Sequence, residues 1–367
     1  MNAARLPGLT VRSLRCTPVK VPLRYVLGTS AAKVSAAPLL LLDLTTDEGV
    51  TGRGYVFAYR DGGAFAMARL LDDLAPLVVG QAVVPLATAA KLERSCALIG
   101  VTGIVRMALS LLDMALWDAL AVAAGLPLAA LLGGAPRPLP AYNSCGLGLA
   151  NPQATADEAE RLLESGFRAV KLRLGHALVA DDLAVLRAVR KRLPDAVHIM
   201  ADYNQALNLP EALRRGHALQ GEGLAWLEEP IRHDDWRGNA RIARELHLPL
   251  QLGENFNGPA AMAQAVDAQA CDLVMPDLAR IGGASGWMQA AGLAAAHGLP
   301  MSSHLMPEVS AQLLCATPTA HWLEWVDWAD VLLAEPLRIE NGMALPSDRP
   351  GSGLEWDAAA VQHHRLA

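Results

Sequence analysis

AVKLRLG, residues 169 to 175, has the composition of a buried β-strand, because valine and leucine alternate through it and a glycine ends it. Lys171 and Arg173 lie two positions apart inside this run. Side chains at positions i and i+2 share one face of a strand. The segment therefore predicts a strand that directs two positive charges into whatever its face encloses.

The pattern of short apolar strand, polar residue and amphipathic helix repeats over residues 136–334. Eight strand candidates separated by helical stretches predict a (β/α)8 barrel rather than a short doubly wound sheet. In chain order they are PAYNSC, AVKLRL, VHIMAD, LAWLEE, LPLQLGE, CDLVMPD, LPMSSH and HWLEWV. In such a barrel the carboxyl-terminal strand ends carry the chemistry.

The residues that precede the predicted barrel have a different pattern of strands and helices. Residues 9–23 and 38–59 are predicted to form strands, and the second stretch is a hairpin around Asp47, Glu48 and Gly49. Helical runs follow, the clearest over residues 103–125, with Gly125 suited to a C-cap. The first 135 residues therefore predict an α+β unit, and the whole chain is predicted to be an α/β protein of two domains.

Composition excludes several classes of protein. The net charge of -6 comes from interspersed charges of both signs, without a basic tract that would indicate nucleic-acid binding. Five widely spaced cysteines without a CxxC pair argue against a disulfide framework or a zinc knuckle. No stretch is expected to approach a membrane-spanning helix, and the first twenty residues lack a secretory signal pattern. A cytoplasmic globular protein is expected.

Ionisable residues occur at or near the ends of six consecutive strand candidates, and successive ones are 20 to 27 residues apart, about one βα unit. They are Asp202, Glu228, Glu254, Asp277, His304 and Glu324. The first three are carboxylates on neighbouring strands, and oxygen ligands of this kind suit Mg²⁺ before Zn²⁺. The simpler interpretation, that each acid caps a helix or faces solvent, fits one isolated acid better than three in succession.

The two cations of the opening segment then have possible roles. Lys171 is expected beside the metal, where a cation can bind a carboxylate oxygen, whereas Arg173 lies further along the same face. An ion pair that neutralises the acids is the alternative role for Arg173. Across the barrel, Asp277 could hydrogen-bond the imidazole of His304 and fix its tautomer, which predicts a general base or acid.

This constellation resembles the mandelate racemase subgroup of the enolase superfamily. The resemblance extends over nearly the whole chain, through VPLRY, LLDLTTDEGVTGRGYVFAY, AVKLRLG, ADYNQAL, WLEEP, GENFNGP, MPDLARIGGASGW and MSSHLMPEVSAQLLCATPTAHWLE. It implies an α+β capping domain over residues 1–135, a modified (β/α)8 (TIM) barrel over 136–334, and a segment 335–367 that packs back on the capping domain. It also implies a homo-oligomer, specifically an octamer.

The chemistry implied by the resemblance is Mg²⁺-dependent removal of the proton next to a carboxylate through an enediolate. Residue by residue, it makes Asp202, Glu228 and Glu254 the magnesium ligands. Lys171 would neutralise the substrate carboxylate, the pair of His304 and Asp277 would be the base, and Glu324 would donate a hydrogen bond to the other carboxylate oxygen. The substrate-contacting positions are Ser144 and Asn204, with an apolar pocket of Leu27, Ala31, Val34, Phe57, Tyr59, Leu305 and Val326.

One departure from the subgroup pattern concerns Arg173. The racemase pattern has lysine at both ends of a K-x-K motif, and the second lysine is the base opposite the histidine. Because arginine rarely deprotonates, a one-base reaction of a small 2-hydroxy carboxylate, namely a dehydration with His304 as base and acid, is favoured. In this reaction Arg173 would bind or orient the substrate. The alternatives are a racemase of an apolar, mandelate-like 2-hydroxy acid and, more remotely, a metal-binding protein without catalysis.

Overall fold

The structure, a computed structural model, describes residues 8–30 and 33–366. It begins with a three-stranded antiparallel sheet in the order β1-β2-β3. These strands are β1 Val11–Gly28, β2 Lys33–Thr46 and β3 Thr51–Phe57. The predicted strands are confirmed, and so is the hairpin, since Thr45 of β2 pairs with Thr51 of β3 across the predicted turn.

Four helices follow this sheet and lead towards the barrel, and the first and third of them pack on it. They are α1 Asp61–Leu74, α2 Pro85–Ser95, α3 Gly103–Ala124 and α4 Leu128–Leu131. The prediction for α3 is confirmed, including its C-cap Gly125, whose φ of 66° is left-handed. α3 lies directly on β3 at Gly52, where a Cβ atom would be 2.0 Å from the carbonyl oxygen of Ala115. Only glycine permits this approach.

The expectation that no stretch approaches a membrane-spanning helix is wrong for α3. Its 22 residues are long and apolar enough to span a bilayer by composition alone. However, 78% of its most apolar window is buried inside the protein, where the helix packs on β3 on one side and on barrel helices on the other. Its apolar character therefore serves the core between the two units.

The second unit is built around parallel strands. They are β4 Leu139–Asn143, β5 Ala169–Arg173, β6 His198–Asp202, β7 Leu224–Glu228, β8 Leu250–Leu252, β9 Leu273–Val274 and β10 Leu323–Trp325. Each of β4 to β8 pairs with the strand that follows it, and β10 returns to pair with β4. The intervening helices are α5 Pro152–Leu163, α6 Val179–Arg192, α7 Leu209–Leu219, α8 Trp236–Glu245, α9 Pro259–Asp267, α10 Leu278–Ile281, α11 Gly283–Ala296 and α12 Pro307–Cys315.

The prediction of a continuous seventh strand in LPMSSH is wrong. Met301 forms single parallel bridges, to Val274 on one side and to Ala320 on the other. The segment closes the barrel between β9 and β10 through these bridges. The chain then leaves the extended conformation, because Leu305 and the residue after it have positive φ angles of 52° and 42°. The result is the modified barrel expected from the sequence.

The carboxyl-terminal segment contacts both units. It contains β11 Arg338–Glu340, β12 Met343–Leu345 and α13 Ala358–His364. β12 pairs antiparallel with the start of β4, whereas Arg365 bridges to Val19 of the first sheet. The Trp356 indole also donates a 3.0 Å hydrogen bond to Asp43 of β2. The limits proposed for the domains, at residues 135 and 334, stay predictions.

Candidate active site

Three carboxylates meet at the carboxyl-terminal rim of the barrel. Asp202 and Glu228 are the last residues of β6 and β7, and Glu254 lies two residues after β8. Because parallel strands end at the same rim, one oxygen from each acid lies within 4.8 Å of the other two. Asp202 and Glu228 are fully buried, and Glu254 is partly buried.

The electrostatics of this cluster favour a cation. Burial raises the pKa of Glu228 to about 8, an effect that Asp202 and Glu254 increase and Lys171 opposes. Like charges held this close in a dry site are costly unless a positive charge lies among them. Three converging carboxylates offer the hard oxygen donors that Mg²⁺ prefers.

Lys171 lies at the centre of a buried set of acids. Its Nζ is 2.9 Å from Glu228 Oε1, 2.8 Å from Glu324 Oε1 and 3.8 Å from Asp202 Oδ2. Burial alone would lower the pKa of Lys171, but the charges of Glu228 and Glu324 outweigh burial and raise it well above its ordinary value. The side chain is therefore an ammonium ion that faces the acids at the rim.

Arg173 has a different set of partners. Its Nη1 donates to the carbonyl oxygens of Ser144 at 2.9 Å, Lys171 at 3.2 Å and Gly146 at 3.3 Å. Its Nη2 donates to the Ser144 hydroxyl at 2.9 Å. Among the residues that the structure describes, no carboxylate forms an ion pair with Arg173, so the ion-pair role considered from sequence is not what the contacts show.

Glu324, in β10, accepts hydrogen bonds at both oxygens. Its Oε1 accepts from the Ser144 hydroxyl at 2.7 Å in addition to Lys171, and its Oε2 accepts from the Leu305 amide at 2.9 Å. Burial would raise the pKa of Glu324, but Lys171 and then His304 outweigh it and lower the pKa to about 2. In this arrangement Glu324 is an acceptor. To donate a hydrogen bond to a substrate, it would have to gain a proton.

His304 and Asp277 form a hydrogen-bonded pair on the other side of the rim. The imidazole Nδ1 lies 2.6 Å from Asp277 Oδ2, and Nε2 lies 3.2 Å from Glu254 Oε2. The other oxygen of Asp277 caps α10, accepting from the amides of Ala279 at 2.7 Å and Arg280 at 3.1 Å. Burial would lower the pKa of His304, but Glu324 and Glu254 raise it well above its ordinary value.

The remaining predicted contacts are placed as follows. Asn204 donates from its side chain to Asp202 Oδ2 at 2.8 Å, so it supports the acid cluster directly. Of the pocket positions, Leu27, Phe57, Leu305 and Val326 are buried, Val34 is partly buried and Tyr59 is 43% exposed. Phe57 packs between Tyr59, with ring centroids 4.4 Å apart, and Trp328, at 4.8 Å. Ala31 lies outside the described residues.

Family models match both units of the chain. The amino-terminal domain of mandelate racemase / muconate lactonizing enzyme matches residues 11–133, and the enolase C-terminal domain-like family matches residues 154–360. The chain belongs to the mandelate racemase / muconate lactonizing enzyme family of the enolase superfamily. Its membership, like the capping-domain-and-barrel fold, was predicted from the sequence and is confirmed.

Several relatives cover almost the whole chain. L-talarate/galactarate dehydratase of Salmonella typhimurium is 32% identical, over 96% of this chain and 90% of its own. A solved enolase from an alphaproteobacterium with bound magnesium is 42% identical, with a TM-score of 0.95 over 98% of this chain and 100% of its own. A Bradyrhizobium enolase in complex with magnesium and mandelic acid is 38% identical, with a TM-score of 0.93 over 99% and 100%.

Three residues that the sequence patterns do not single out lie beside the site, namely Glu229, Asn255 and Arg280. Asn255 donates to Glu254 at 3.1 Å and to the buried Glu229 at 2.7 Å, and its oxygen accepts from Arg280. The guanidinium carbon of Arg280 lies 4.8 Å from the ring centroid of Tyr59, so Arg280 connects the capping unit to the rim. Each lies one to three residues from a predicted site residue, which is the signal that could have identified them.

Proposed function

We propose that this protein is a Mg²⁺-dependent enzyme that removes the proton next to the carboxylate of a 2-hydroxy acid, with His304 as the single base, and expels a β-hydroxyl as water. The observation that carries the proposal is the asymmetry of the site. A histidine oriented by an aspartate lies on one side, and the corresponding position on the other side holds Arg173, whose Nη donors are occupied by carbonyls and a hydroxyl.

Asp202, Glu228 and Glu254 would hold the magnesium ion, and Asn204 would orient Asp202. When bound there, Mg²⁺ supplies a positive charge that stabilises the negative charge developing on the substrate carboxylate. Solved relatives called enolases, a racemase and an L-talarate dehydratase are named with bound magnesium. Other relatives of this chain are named as a dehydratase and a cycloisomerase. The chain's own donor set fits the same ion.

The protein's side chains would then bind and orient the substrate. Lys171, whose Nζ faces the acid cluster, would neutralise one carboxylate oxygen of the substrate, and Glu324, once protonated, would donate a hydrogen bond to the other. Apolar side chains from the capping unit, including Phe57 and Tyr59, would cover the remainder. Positioned charge of this kind is the main way in which a weakly acidic C–H bond is made reactive.

His304 would move the proton. Its Nδ1 is bonded to Asp277, so Nε2 is the nitrogen that faces the rim. A base must be neutral, and a cation bound at Glu254 would weaken one of the two charges, those of Glu324 and Glu254, that raise the pKa of His304. The Cα–H electron pair moves into the carboxylate as His304 takes the proton. The imidazolium then gives this proton to the β-hydroxyl, the C–O bond breaks, and water and an enol of a 2-keto acid are formed.

A second candidate, racemisation of a compact 2-hydroxy acid, is favoured by the apolar pocket. Leu27, Phe57, Leu305 and Val326 offer little to a polyol chain, and the Bradyrhizobium relative binds mandelic acid. Racemisation would need a proton carrier on the face that Arg173 occupies. The third alternative, a metal-binding protein without catalysis, is disfavoured because the acid cluster, the lysine and the histidine–aspartate pair are all present.

Assembly and location are part of the proposal. The protein would bind a small-molecule carboxylate and neither nucleic acid nor a membrane. It would be a cytoplasmic homo-oligomer, specifically the octamer that the family resemblance implies. Native mass measurement of the purified protein tests the octamer. A monomer at micromolar concentration would contradict that part alone.

The function is tested by incubating the Mg²⁺-loaded protein in D₂O with each enantiomer of mandelate and with a panel of acid sugars, followed by proton NMR. Conversion of an acid sugar to a 2-keto-3-deoxy acid would establish the dehydratase. Exchange in one mandelate enantiomer without racemisation would support a single base, and racemisation would establish the second candidate. His304→Asn is the control, and full exchange in that variant would refute the base assignment.

A further inference from the structure

The guanidinium of Arg173 is occupied almost entirely within the protein. Four hydrogen bonds from its two terminal nitrogens run to Ser144, Gly146 and Lys171, and the side chain is 95% buried. Its backbone amide also donates to the carbonyl of Leu147 at 3.0 Å. Only Nε lacks a partner among the described residues. Of the five guanidinium N–H donors, the Nε–H and one Nη2–H are therefore left with which Arg173 could contact a substrate.

We propose that Arg173 is a positioning residue, which acts by holding the loop of residues 144–147 and by directing the Ser144 hydroxyl onto Glu324. The proposal rests on the proposed function, since Glu324 matters there as a contact of the substrate carboxylate. It assigns Arg173 a role distinct from that of a base or a direct substrate ligand.

The direction of the Ser144 proton follows from hydrogen-bond chemistry. A serine hydroxyl has one proton and two lone pairs. The Nη2 group of Arg173 can only donate, so at 2.9 Å it occupies a lone pair of Ser144 Oγ. The single proton is then free to point at Glu324 Oε1, 2.7 Å away. Without Arg173, the hydroxyl could rotate and donate to another acceptor.

The loop contacts require an arginine in particular. The carbonyls of Ser144 and Gly146 belong to a loop that follows β4, in which Gly146 and Leu147 have positive φ angles of 56° and 46°. A planar guanidinium reaches several diverging acceptors at once, whereas an ammonium ion is a single point charge. Arg173 thus fixes, from β5, a loop that the backbone alone leaves in an uncommon conformation.

A double-mutant cycle tests the proposal. Arg173→Met, Ser144→Ala and the double variant are titrated, in the Mg²⁺-loaded form, with mandelate and with galactarate by calorimetry, and α-proton exchange is measured in parallel. Each single variant should lower affinity by about tenfold, the loss expected for one charge-assisted hydrogen bond. The double variant should lie within about twofold of the weaker single variant, because both substitutions remove the same contact to Glu324.

Ser303→Ala is the matched control. Ser303 is a fully buried serine whose hydroxyl accepts from the Glu324 amide at 3.1 Å but does not contact its carboxylate. The fold-loss of affinity in Ser303→Ala should multiply with the fold-loss in Arg173→Met when the two are combined. Arg173→Gln, which keeps two N–H donors, replaces the methionine variant if circular dichroism shows the latter unfolded.

The positioning role would be overturned if the affinity losses of Arg173→Met and Ser144→Ala multiply in the double variant. It would also be overturned if Arg173→Met binds with unchanged affinity. A wild-type protein that binds either acid without exchanging a proton refutes the proposed function alone, because the cycle is still measured as affinity. If neither acid binds, the coupling is measured from urea unfolding of the same four proteins. Additive unfolding free energies would then overturn the proposal, and non-additive ones would support it.

Discussion

Asparagine in place of Asp277 should disable the base while leaving the fold intact. The two oxygens of Asp277 have different partners: Oδ1 accepts from the amides of Ala279 and Arg280, and Oδ2 faces His304 Nδ1 at 2.6 Å. The two helix amides can only donate, so they would hold the asparagine carbonyl where Oδ1 now lies. The Nδ2 amide must then face His304, and because it donates, the imidazole proton moves to Nε2.

The size of the effect follows from this change of tautomer. With its proton on Nε2, the imidazole no longer presents a lone pair to the substrate. In serine proteases the same substitution of the histidine's aspartate lowers kcat about 10⁴-fold for the same reason. We expect Asp277→Asn to reduce α-proton exchange by roughly 10³- to 10⁴-fold. Since the helix cap is kept, the free energy of unfolding should change by less than about 1 kcal/mol.

Asp277→Ala provides the comparison, because it removes the cap as well as the histidine partner. It should lose the same exchange activity and, in addition, about 1 kcal/mol of stability in urea unfolding. ¹⁵N spectra of histidine-labelled protein report which ring nitrogen of His304 carries the proton. Exchange by Asp277→Asn within tenfold of wild type, with the Nε2-protonated tautomer observed, would refute the assignment of His304 as the base.

Three further predictions concern the second face, the metal and the fold. Arg173→Lys should gain exchange of the enantiomer that wild type leaves untouched, measured by proton NMR in D₂O, and absence of any gain would show that more than this residue limits the second face. Asn204→Ala removes the amide that holds Asp202 Oδ2 and should weaken Mg²⁺ binding about 10- to 100-fold by calorimetry; unchanged affinity would remove Asn204 from the metal's support. Asp182→Ala removes one of the two carboxylates that pair with the buried Arg215, the other being Glu211 at 2.6 Å, and should cost roughly 2–3 kcal/mol in urea unfolding; a loss below about 1 kcal/mol would contradict this.

Most of the fold could be predicted from the sequence because its elements are local. Strand and helix periodicity, a hairpin turn and a glycine C-cap are properties of adjacent residues, and they located β2, β3 and α3 correctly. The sequence predicts a regular seventh strand, because the apolar pattern of this segment is that of an ordinary strand, whereas the segment is irregular in the structure. In the structure Met301 and His304 form only isolated bridges, and the positive φ angles of Leu305 and Met306, which neither residue type favours, end the extended conformation directly after them.

The site was less predictable in its second layer of contacts. One ionisable group per βα unit revealed the rim residues, since strand spacing alone brings them together. Asn255 and Arg280 lack the spacing of one βα unit, and only their nearness in sequence to Glu254 and Asp277 points to them; the contacts of Arg280 with Asn255 and with the Tyr59 ring are visible only in the structure. Contacts between the capping unit and the rim depend on how two units dock, which periodicity does not encode.

Lys171 and Arg173 show, within one strand, that a sequence pattern does not encode the contacts of a side chain. From sequence, Lys171 and Arg173 are equivalent positive charges on one face. In the structure, Lys171 faces charged acceptors that converge on one point, and Arg173 faces neutral carbonyls and a hydroxyl that diverge. A point charge suits the first set and a planar fork the second. A lysine at position 173 would add a possible base and, in the same step, release the loop that carries Ser144. The number of bases and the orientation of the Glu324 contact are therefore set by one residue and cannot be changed independently there.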